Sequence, residues 1–583
     1  MPLIGTAGHV DHGKSTLIRQ ITGRDPDRWD EEKRRGLTID LGFAWMTLRD
    51  GTEVSFVDVP GHERYLKNML AGVEVIDVAL FVVAADEGWM PQSEEHLAVL
   101  DLLEIDRGVV ALTKTDIVDP ELLELARAEV SEKLSGTTLD GAPIVAVSGI
   151  TGEGVGALVD VLADLTPPEP PANGRPRLWV DRSFTIAGAG TVVTGSLLGS
   201  TLEVDQGVEV FPDGLRTRVR GIQSHEQQRE SVGPGRRVAV NLAGVDHDSI
   251  SRGDMIGLPG QWELTTRFSA TLRSARFVEA IEPRGAYQIH IGSGAHLVEV
   301  VALDGGAAVM QVDRRLPLAA GDRFVLRDTG RHLVVGGGVV VDPAPGPTQR
   351  AIGEVATTRH HDPDTIAQRL LASRRVDRLS RLMAHSGGGR PVSAVLVGDL
   401  AAAPDLMEEI EATAHSLVTD AHQRHPLRQG LSIATLAERL GIEAALAEAV
   451  VARSPRLERR GPDVAQPGHV VELDEDQAAA WHRATERLSE SLAVPDLDDL
   501  GLDPEVIHFA IRTGELVRIN ESLGYLVAQI DELKAVMAQL PEDFTVAEFR
   551  DAVGLSRKYA VPLLEWSDRE GLTIRRGDRR RLR

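Results

Sequence analysis

The stretch Gly8-His-Val-Asp-His-Gly-Lys-Ser15 matches the phosphate-binding loop pattern G-x-x-x-x-G-K-[ST]. It lies between a predicted strand, Pro2–Thr6, and a predicted helix, Lys14–Ile21, which is the context that such a loop requires. Its glycines let backbone N–H groups curl around a phosphate, and the positive end of the helix favours the same anion. We therefore predict nucleoside triphosphate binding, with Lys14 bridging the β- and γ-phosphates and Ser15 ligating Mg²⁺. The nucleotide-binding residues predicted in this loop are Gly8, Asp11, Gly13, Lys14, Ser15 and Thr16.

Strand and helix patterns alternate around this loop up to about residue 165, which favours a mostly parallel sheet covered by helices. A proline-rich run, Thr166–Pro176, predicts a stiff linker at the end of this domain. The strand candidates are Pro2–Thr6, Glu53–Val57, Val78–Val83, Val109–Thr113 and Ile144–Val147, and further helix candidates are Gln92–Glu104 and Glu121–Leu134.

A second motif, Asp58-Val-Pro-Gly61, follows an apolar strand of this domain. An acidic residue at the end of a buried strand suits a water-mediated Mg²⁺ contact, and the Gly61 N–H can face the γ-phosphate. His62 comes next, and we predict that it is the catalytic residue that orients the attacking water, a role that Gln plays in related GTPases. Thr38, in the polar stretch 35–38, is the predicted switch residue whose hydroxyl completes the Mg²⁺ shell.

A third motif, Thr113-Lys114-Thr-Asp116, ends another apolar strand. A carboxylate there can accept hydrogen bonds from both N1–H and N2–H₂ of guanine, whereas adenine has no such pair of donors. Asp116 is therefore the predicted residue that selects GTP over ATP. Ser148, after the strand Ile144–Val147, is expected to add a backbone contact to guanine O6.

From about residue 177 to 343 the pattern changes to short strands separated by Gly, Asp and Pro, without long helices. About 170 residues of this kind predict two small barrels, with a break near Gly257–Glu263. Strand candidates are Thr191–Thr194, Val208–Phe211, Arg237–Leu242, Tyr287–Ile291, Leu297–Leu303 and Val339–Val341.

Three later segments repeat a pattern of helix, glycine turn, helix and a pair of short strands, and their turn glycines are 60 and 53 residues apart. This order predicts winged helices, which commonly bind nucleic acid, although modules that dock proteins remain the alternative. The turns lie at Gly441, Gly501 and Gly554, in the segments Leu436–Ile442, Leu497–Leu502 and Phe549–Leu555, and the predicted strand pairs end in His469–Leu473, Gly524–Val527 and Arg579–Arg583.

The sequence thus predicts a multidomain chain with an α/β P-loop GTPase domain, two β-barrels and a C-terminal array of winged-helix domains. The predicted domains are 1–170 for the GTPase, 171–262 and 263–345 for the barrels, and 346–415, 416–474, 475–529 and 530–583 for the winged helices.

The charge balance restricts where nucleic acid can bind. With 63 Lys and Arg against 88 Asp and Glu, the net charge is −25, so any site for nucleic acid must be a local basic cluster. The segment Leu555–Arg583 is such a cluster, with nine basic against four acidic residues. It combines a helix N-terminus, which favours phosphate, with guanidinium groups that can contact RNA backbone and splayed bases. The predicted RNA-binding residues are Arg557, Lys558, Arg575, Arg576, Arg579 and Arg580, with Arg581 beside them.

Composition excludes several classes of protein. Hydrophobic residues at 42% exclude a disordered chain. The sequence has no run of 18 uncharged apolar residues, so we do not expect a membrane span. The absence of cysteine excludes disulfides, Cys-ligated zinc and thiol catalysis. Without a signal-peptide pattern after Met1, we expect a cytoplasmic protein, monomeric and with no membrane partner.

The order of these motifs resembles the translational GTPases. GHVDHGK, RGLTI and DVPGHE are close to elongation factor Tu. Further motifs are similar to the bacterial selenocysteine-specific elongation factors, the SelB family, and the resemblance covers nearly the whole chain. They are Ala7–Gly13, Leu37–Gly42, Asp181–Gly195, Arg323–Asp328 and Phe549–Lys558.

This resemblance implies a GTP- and GDP-binding carrier of selenocysteyl-tRNA. Its winged helices would bind an mRNA hairpin beside a UGA codon, and the ribosome would trigger GTP hydrolysis through His62. Asp181, Arg182 and Arg237 match positions that form the family's selenocysteine pocket, where two arginines would favour a selenolate over neutral serine. One departure is Thr113, where the family usually has an Asn that tethers the guanine loop to the phosphate loop, so we expect weaker nucleotide binding.

Three alternatives remain open. An elongation factor Tu-like or initiation-type GTPase carrying another tRNA, and a GTPase subunit of sulfate activation, share the first three domains but lack the helical repeats. A winged-helix regulator with a nucleotide sensor belongs to a different class, and it would not need Thr38, Asp58 and His62 in register with the phosphate loop.

Overall fold

The computed structural model describes residues 2–26, 41–59, 76–168, 175–304, 306–345 and 362–583. The chain divides into two compact units, Met1–Ala403 and Pro404–Arg583.

The first domain is built on a sheet with the strand order β2-β3-β1-β4-β5-β6, in which β2 runs antiparallel and the other strands are parallel. All seven residues of β4 are buried, as expected for a strand covered by helices on both faces. The strands are β1 Leu3–Ala7, β2 Gly42–Thr47, β3 Glu53–Asp58, β4 Val78–Ala84, β5 Gly108–Thr113 and β6 Ile144–Ala146; the helices are α1 Lys14–Thr22, α2 Pro91–Leu102, α3 Pro120–Leu134 and α4 Val155–Leu165, with a 3₁₀ turn at Thr115–Ile117.

All five predicted strands of this domain are confirmed, as are the predicted helices, to within a few residues. The edge strand β2 was not predicted, because it alternates buried and half-exposed residues and lacks the continuous apolar run of its neighbours. The predicted linker lies between the end of α4 at Leu165 and the start of β7 at Arg177, and its residues 169–174 lie outside the described part of the chain.

Two closed barrels follow, as predicted. In the first, six strands in the order β10-β15-β7-β8-β14-β11 close through the pairing of β10 with β11. The second closes through β16 and β22, in the order β16-β20-β19-β18-β21-β22. The first contains β7 Arg177–Ile186, β8 Gly190–Leu198, β9 Leu202–Glu203, β10 Gly207–Phe211, β11 Leu215–Ser224, β12 Gln227–Arg229, β13 Ser231–Val232, β14 Arg236–Leu242, a 3₁₀ turn His247–Ser249 and β15 Met255–Gly257; the second contains β16 Thr265–Thr271, β17 Arg273–Ser274, β18 Tyr287–Ile291, β19 Gly294–Asp304, β20 Ala307–Leu316, β21 Arg323–Asp328 and β22 Val334–Asp342.

A small helix-and-wing module completes the first unit. It is fixed to the second barrel by the buried Arg374, which pairs with Asp342, and by a hydrogen bond of 2.7 Å from Ala320 N to His385 O. Its elements are α5 Pro363–Arg374, β23 Val376–Arg378, α6 Leu379–His385, β24 Val395–Val397 and β25 Leu400–Ala402, and its strands form a sheet in the order β23-β25-β24.

The second unit repeats helices and short wings. A large cluster of buried apolar side chains extends from Leu427 to Trp566 through its last two modules. Its helices are α7 Pro404–Arg424, α8 Ile433–Leu440, α9 Ala444–Arg453, α10 Glu475–Ser489, α11 Pro504–Thr513, α12 Val527–Met537, α13 Val546–Val553 and α14 Arg557–Arg569, with a 3₁₀ turn Leu497–Leu500; its strands are β26 Leu431–Ser432, β27 Glu458–Arg460, β28 Asp463–Ala465, β29 Leu516–Arg518, β30 Gly524–Leu526, β31 Asp543–Thr545, β32 Thr573–Arg576 and β33 Arg579–Leu582.

The repeat glycines have the predicted role. Gly441, Gly501 and Gly554 each end a helical segment with φ between 65° and 67°, a left-handed conformation that glycine adopts without the steric cost of a Cβ.

Two predictions about the repeats are wrong. His469–Leu473 is not a strand, because the wing of that module is formed earlier by β27 and β28. The segment is held instead by single hydrogen bonds, such as the 2.6 Å contact from Arg460 Nη1 to His469 O. The predicted helix at Leu497–Leu502 is only a 3₁₀ turn, since Gly501 ends it after four residues.

Two of the predicted domain limits, at 415/416 and 529/530, fall inside helices α7 and α12 rather than between elements. The chain divides into its two units just before α7, where Pro404 begins the helix. The domain limits otherwise remain predictions.

Candidate functional site

The phosphate loop crosses the carboxyl edge of the sheet between β1 and α1, where the ends of β3 and β5 also lie. Gly8 has φ 127°, and a Cβ there would lie 2.1 Å from Val82 O, so only glycine fits. Gly13 is in the left-handed conformation and caps α1, whose first backbone amides point into the loop. This geometry presents N–H groups to an anion at a helix N-terminus.

Lys14 is buried at the start of α1, and its Nζ donates hydrogen bonds to Gly8 O at 3.1 Å and His9 O at 2.6 Å. Burial lowers the pKa of Lys14 to about 8, although Asp58 and Asp11 act in the opposite direction. The ammonium group is thus held against the loop in a place where a polyanion would favour its charged form.

Asp58 ends β3 with both carboxylate oxygens engaged. Ser15 Oγ donates to Oδ2 at 2.6 Å, and Thr6 Oγ1 donates to Oδ1 at 2.8 Å. A serine hydroxyl and a carboxylate side by side are the oxygen donors that Mg²⁺ prefers, so these residues fit the predicted ion. The other predicted ligand, Thr38, lies outside the described residues, as do Gly61 and His62.

The guanine motif is joined directly to the phosphate loop. Thr113 is buried at the end of β5, and its Oγ1 donates a hydrogen bond of 2.7 Å to His12 O. Lys114 has φ 59° and pairs with Glu87 and Asp86, while Asp116 is exposed in the following turn. Thr113 therefore joins the guanine loop to the phosphate loop, as the usual Asn would, and the expected weaker nucleotide binding stays a prediction.

The backbone N–H of Ser148, predicted to contact guanine O6, is already used within the protein. Its backbone N–H already donates to Glu153 O at 2.9 Å, and its buried hydroxyl accepts from Thr151 N at 3.0 Å. Ser148 therefore shapes the loop after β6, and a guanine contact in this loop would need a different backbone amide.

Sequence analysis missed two side chains that hold the phosphate loop. Gln92 and His96, one turn apart on α2, accept hydrogen bonds from the backbone N–H groups of Val10 and Gly8, both at 3.0 Å. Burial lowers the pKa of His96 to about 3, so its neutral ring can accept from Gly8. The only sequence signal is their i, i+4 spacing, which by itself does not say what the two side chains contact.

The predicted selenocysteine pocket lies where the first barrel meets the GTPase domain. Asp181 pairs with Arg237 through two hydrogen bonds, one of them 3.0 Å from Arg237 Nη2 to Asp181 Oδ1. Thr194 Oγ1 donates to the same carboxylate at 2.5 Å. Arg182 Nη2 donates to Leu41 O of the GTPase domain at 3.1 Å. The structure thus brings all three predicted residues together.

Arg182, Thr194 and Arg237 line a cavity of about 200 Å³ with aromatic walls. The Arg237 guanidinium lies 3.6 Å from the centre of the Phe43 ring. Trp45 stacks on His225 with ring centres 5.1 Å apart. Sequence analysis missed Thr194 and these rings, because no local pattern connects β2 with the barrel.

The last module of the second unit presents only part of the predicted basic cluster. Arg557, Arg575, Arg576 and Arg579 are exposed, the first at the start of α14 and the others on the wing formed by β32 and β33. Ser556 occupies the cap position of α14, but its side chain makes no capping hydrogen bond.

Arg580 is a correction to the predicted RNA site. Its side chain is 5% exposed, and its Nε donates to Asp568 at 2.9 Å, so it is part of the module's core. Lys558 and Arg581 are exposed enough to reach a partner, but they pair with Asp496 at 3.0 Å and Asp543 at 3.2 Å. A nucleic acid would have to compete with those carboxylates.

In the described part of the chain, no helix has both the length and the apolar character needed to cross a membrane.

Three regions of the chain match known protein families. Residues 1–168 match the elongation factor Tu GTP-binding domain, 266–347 the β-barrel domain of selenocysteine-specific elongation factor, and 535–582 the winged helix of elongation factor SelB.

Similar proteins match along the whole length. A selenocysteine-specific elongation factor from Desulfomicrobium baculatum is 34% identical, with both chains covered completely. Its counterpart from Escherichia coli K12 is 32% identical and is covered to 98%. The crystal structure of a bacterial selenocysteine-specific elongation factor, EF-Sec, superposes with a TM-score of 0.70 at 27% identity, and all of both chains is covered.

Proposed function

Because the chain belongs to the selenocysteine-specific elongation factors, we propose that it delivers selenocysteyl-tRNA to the ribosome at UGA codons. Its family consists of GTPases that bind guanine nucleotide. In this proposal the GTP form carries the tRNA, an mRNA hairpin recruits the carrier, and the ribosome stimulates hydrolysis. GDP release then resets the protein. We further propose that it works as a monomer in the cytoplasm and has no membrane partner.

The observation that carries this proposal is the cluster formed by Asp181, Arg182 and Arg237. A selenol is more acidic than a thiol or a hydroxyl and is ionised near neutral pH, so two guanidinium groups favour a selenolate over neutral serine. Asp181 and Thr194 orient the Arg237 guanidinium at the wall of the cavity. Arg237 balances the Asp181 charge, and Arg182 lines the same cavity.

The same cavity is bounded by residues of the GTPase domain, including Phe43 and Trp45 on β2. Because β2 pairs directly with β3, which ends at Asp58, the amino-acid pocket is joined to the nucleotide site through one pair of strands. This connection supports a carrier whose hold on the amino acid depends on the bound nucleotide.

For the nucleotide we propose the following roles. Gly8, Asp11, Gly13, Lys14 and Thr16 surround the phosphates, and the Lys14 ammonium lies against them. Ser15 and Asp58 hold Mg²⁺, the latter through water, together with Thr38, and the ion would neutralise phosphate charge. Thr113, Lys114 and Asp116 hold guanine. Gly61 would face the γ-phosphate, and His62 would orient the attacking water.

For the hairpin we propose the exposed arginines of the last module, Arg557, Arg575, Arg576 and Arg579. Guanidinium groups can bind backbone phosphates and stack on unpaired bases of an RNA loop. Within an acidic chain, such a local basic patch favours binding of the mRNA hairpin at this module.

The test is filter binding of the full-length protein with GTP and one tRNA charged either with selenocysteine or with serine. We expect a clear preference for the selenocysteyl form, since only that form carries an ionised side chain. Equal affinity for the two would contradict the proposal and favour a carrier of ordinary aminoacyl-tRNA. Binding of neither would point to a regulatory nucleotide sensor.

A further inference from the structure

A second cavity, of about 270 Å³, lies in the first unit at the junction of four of its parts. Glu104 follows α2 of the GTPase domain, Arg175 and Arg177 begin the first barrel, Asp322 and Arg323 belong to the second, and the helix-and-wing module closes the remaining side. Its volume is below the ~300–1,000 Å³ of typical sites for drug-sized ligands, so it suits a small ion and a few waters. None of its residues belongs to the nucleotide or amino-acid sites described above.

Most charges on the wall are balanced within the protein. Arg177 is buried and donates to both oxygens of Asp322, at 2.5 and 2.8 Å, and Asp322 also accepts from Ala319 N at 2.8 Å. The Arg177 guanidinium lies between the rings of Trp179 and Trp262, 4.6 and 5.0 Å from their centres. Asp322 is therefore fully engaged and cannot balance a further cation.

Arg175 is the exception. Its side chain is half-buried, and its Nη1 is shielded from solvent without a hydrogen-bond partner in the described part of the chain. Burial lowers the pKa of Arg175 to about 10. Taking a guanidinium out of water is unfavourable unless its N–H groups find acceptors, and an anion supplies both the acceptors and the opposite charge.

The lining residues also carry an excess of positive charge. Three arginines stand against two carboxylates, one of which, Asp322, is fully used by Arg177. Arginine is the side chain whose planar fork fits two oxygens of a tetrahedral oxyanion.

We propose that this cavity binds one phosphate-type oxyanion, held by Arg175. The anion could be free phosphate or a phosphate group of a bound RNA, since both present the same oxygens. Because its walls come from the GTPase domain, both barrels and the helix-and-wing module, a bound anion would link these four parts.

The test uses the full-length protein with its nucleotide site filled by the imido analogue of GTP, so that the phosphate loop is not available. Inorganic phosphate is titrated calorimetrically at constant ionic strength. We expect saturable binding of one phosphate, and at least a tenfold loss of affinity in Arg175→Gln. Arg216→Gln, which removes a largely exposed arginine of the same barrel, should bind as the wild type does.

A wild type that does not bind phosphate, or an Arg175→Gln variant that binds equally well, would overturn the proposal. If Arg175→Gln does not fold, Arg175→Lys keeps the charge without the fork and should still bind phosphate several-fold more weakly; unchanged binding would overturn the proposal.

A second arm separates the sources of the anion. An RNA acceptor-stem duplex is added with and without a 5′-phosphate. If the duplex with the 5′-phosphate displaces phosphate and the duplex without it does not, the ligand is an RNA end. If neither duplex displaces phosphate, the ligand is free phosphate. Both outcomes support the site itself.

Discussion

Thr113 Oγ1 donates a hydrogen bond to His12 O at 2.7 Å, and it thereby joins the loop expected to hold guanine to the loop expected to hold the phosphates. Both residues are buried, so the bond is shielded from water. The two loops belong to strands β5 and β1, which are separated in the sheet by β4.

We expect Thr113→Val to weaken GDP and GTP binding by about 0.5–1.5 kcal/mol, the usual net value of one hydrogen bond, which is roughly two- to tenfold in affinity. Thr113→Asn should retain most of the affinity. Fluorescent nucleotide titration measures both. Thr191→Val is a matched control, because it removes an equally short hydroxyl-to-carbonyl bond in the first barrel. If Thr113→Val binds nucleotide as tightly as the control does, the tether has no role in binding.

The sequence predicts the nucleotide site well where residues follow buried strands. Asp58 and Thr113 could be placed because each ends a continuous apolar run in a parallel sheet, and such strand ends meet at one edge. The contact between Thr113 and the phosphate loop could not be predicted in the same way. The role of the Thr113 hydroxyl is visible only in the structure, where His12 O lies beside it.

Three other features depend on tertiary packing alone. His96 contacts Gly8, 88 residues earlier in the chain, and Thr194 contacts Asp181 on the neighbouring strand of the barrel. Arg580 has the same composition signal as Arg579, but strand alternation turns it towards Asp568 and into the core. Counting arginines in the tail therefore overestimates the RNA site.

Base selection should depend on Asp116. We expect Asp116→Asn to weaken GTP binding by about 1.5–3 kcal/mol, the range for hydrogen bonds to a charged group, and to strengthen binding of xanthosine triphosphate. Competition between the two nucleotides measures the change. Asp119→Asn, which alters the nearby exposed carboxylate that caps α3, should leave the preference unchanged. If GTP affinity in Asp116→Asn matches that of the control, another residue selects the base.

Acid should loosen the phosphate loop through His96. Its pKa is about 3 in the folded protein, far below the usual 6.5, because burial disfavours the charged ring. As pH falls below 6.5 the unfolded chain takes up a proton that the folded chain does not, so stability that is present above 6.5 is lost towards pH 3. The loss is up to about 1.4 kcal/mol for each pH unit.

We expect His96→Gln to reduce this acid dependence, measured as hydrogen exchange of the β1 amides between pH 7 and 5. Gln retains an acceptor for Gly8 N but does not titrate. His290→Gln removes a buried histidine of the second barrel whose pKa is also lowered to about 3, and β1 should then behave as in the wild type. An identical pH dependence in His96→Gln and the wild type would rule out this role.

Discrimination between amino acids should depend on both arginines of the pocket. We expect the Arg182→Ala and Arg237→Ala double variant to lose the preference for selenocysteyl- over seryl-tRNA, because it removes both cations that face the selenolate. Affinity for seryl-tRNA should change much less, since a neutral hydroxyl gains little from them. Arg218→Ala, on an exposed face of the same barrel, is the control. Retained discrimination in the double variant would place the pocket elsewhere.

The four exposed arginines and the buried Arg580 of the last module should respond differently to mutation. Substituting Arg575, Arg576 and Arg579 together by Gln removes three exposed cations without disturbing the core, so the module should still fold. We expect weaker binding of the mRNA hairpin and a log–log salt dependence that falls by about 0.7–0.9 for each RNA phosphate that the variant no longer neutralises. Nucleotide and tRNA binding should not change.

Arg580→Gln should instead act on stability. It leaves the partly buried Asp568 without its cationic partner, so the cost should lie below the ~3–5 kcal/mol of breaking a fully buried pair. The module should therefore unfold at a lower temperature, and hairpin binding, measured below that temperature, should keep the full salt dependence. If Arg580→Gln lowered the salt slope without affecting the melting temperature, Arg580 would contact RNA after all. If the triple variant bound the hairpin normally, the RNA site would lie on one of the earlier modules.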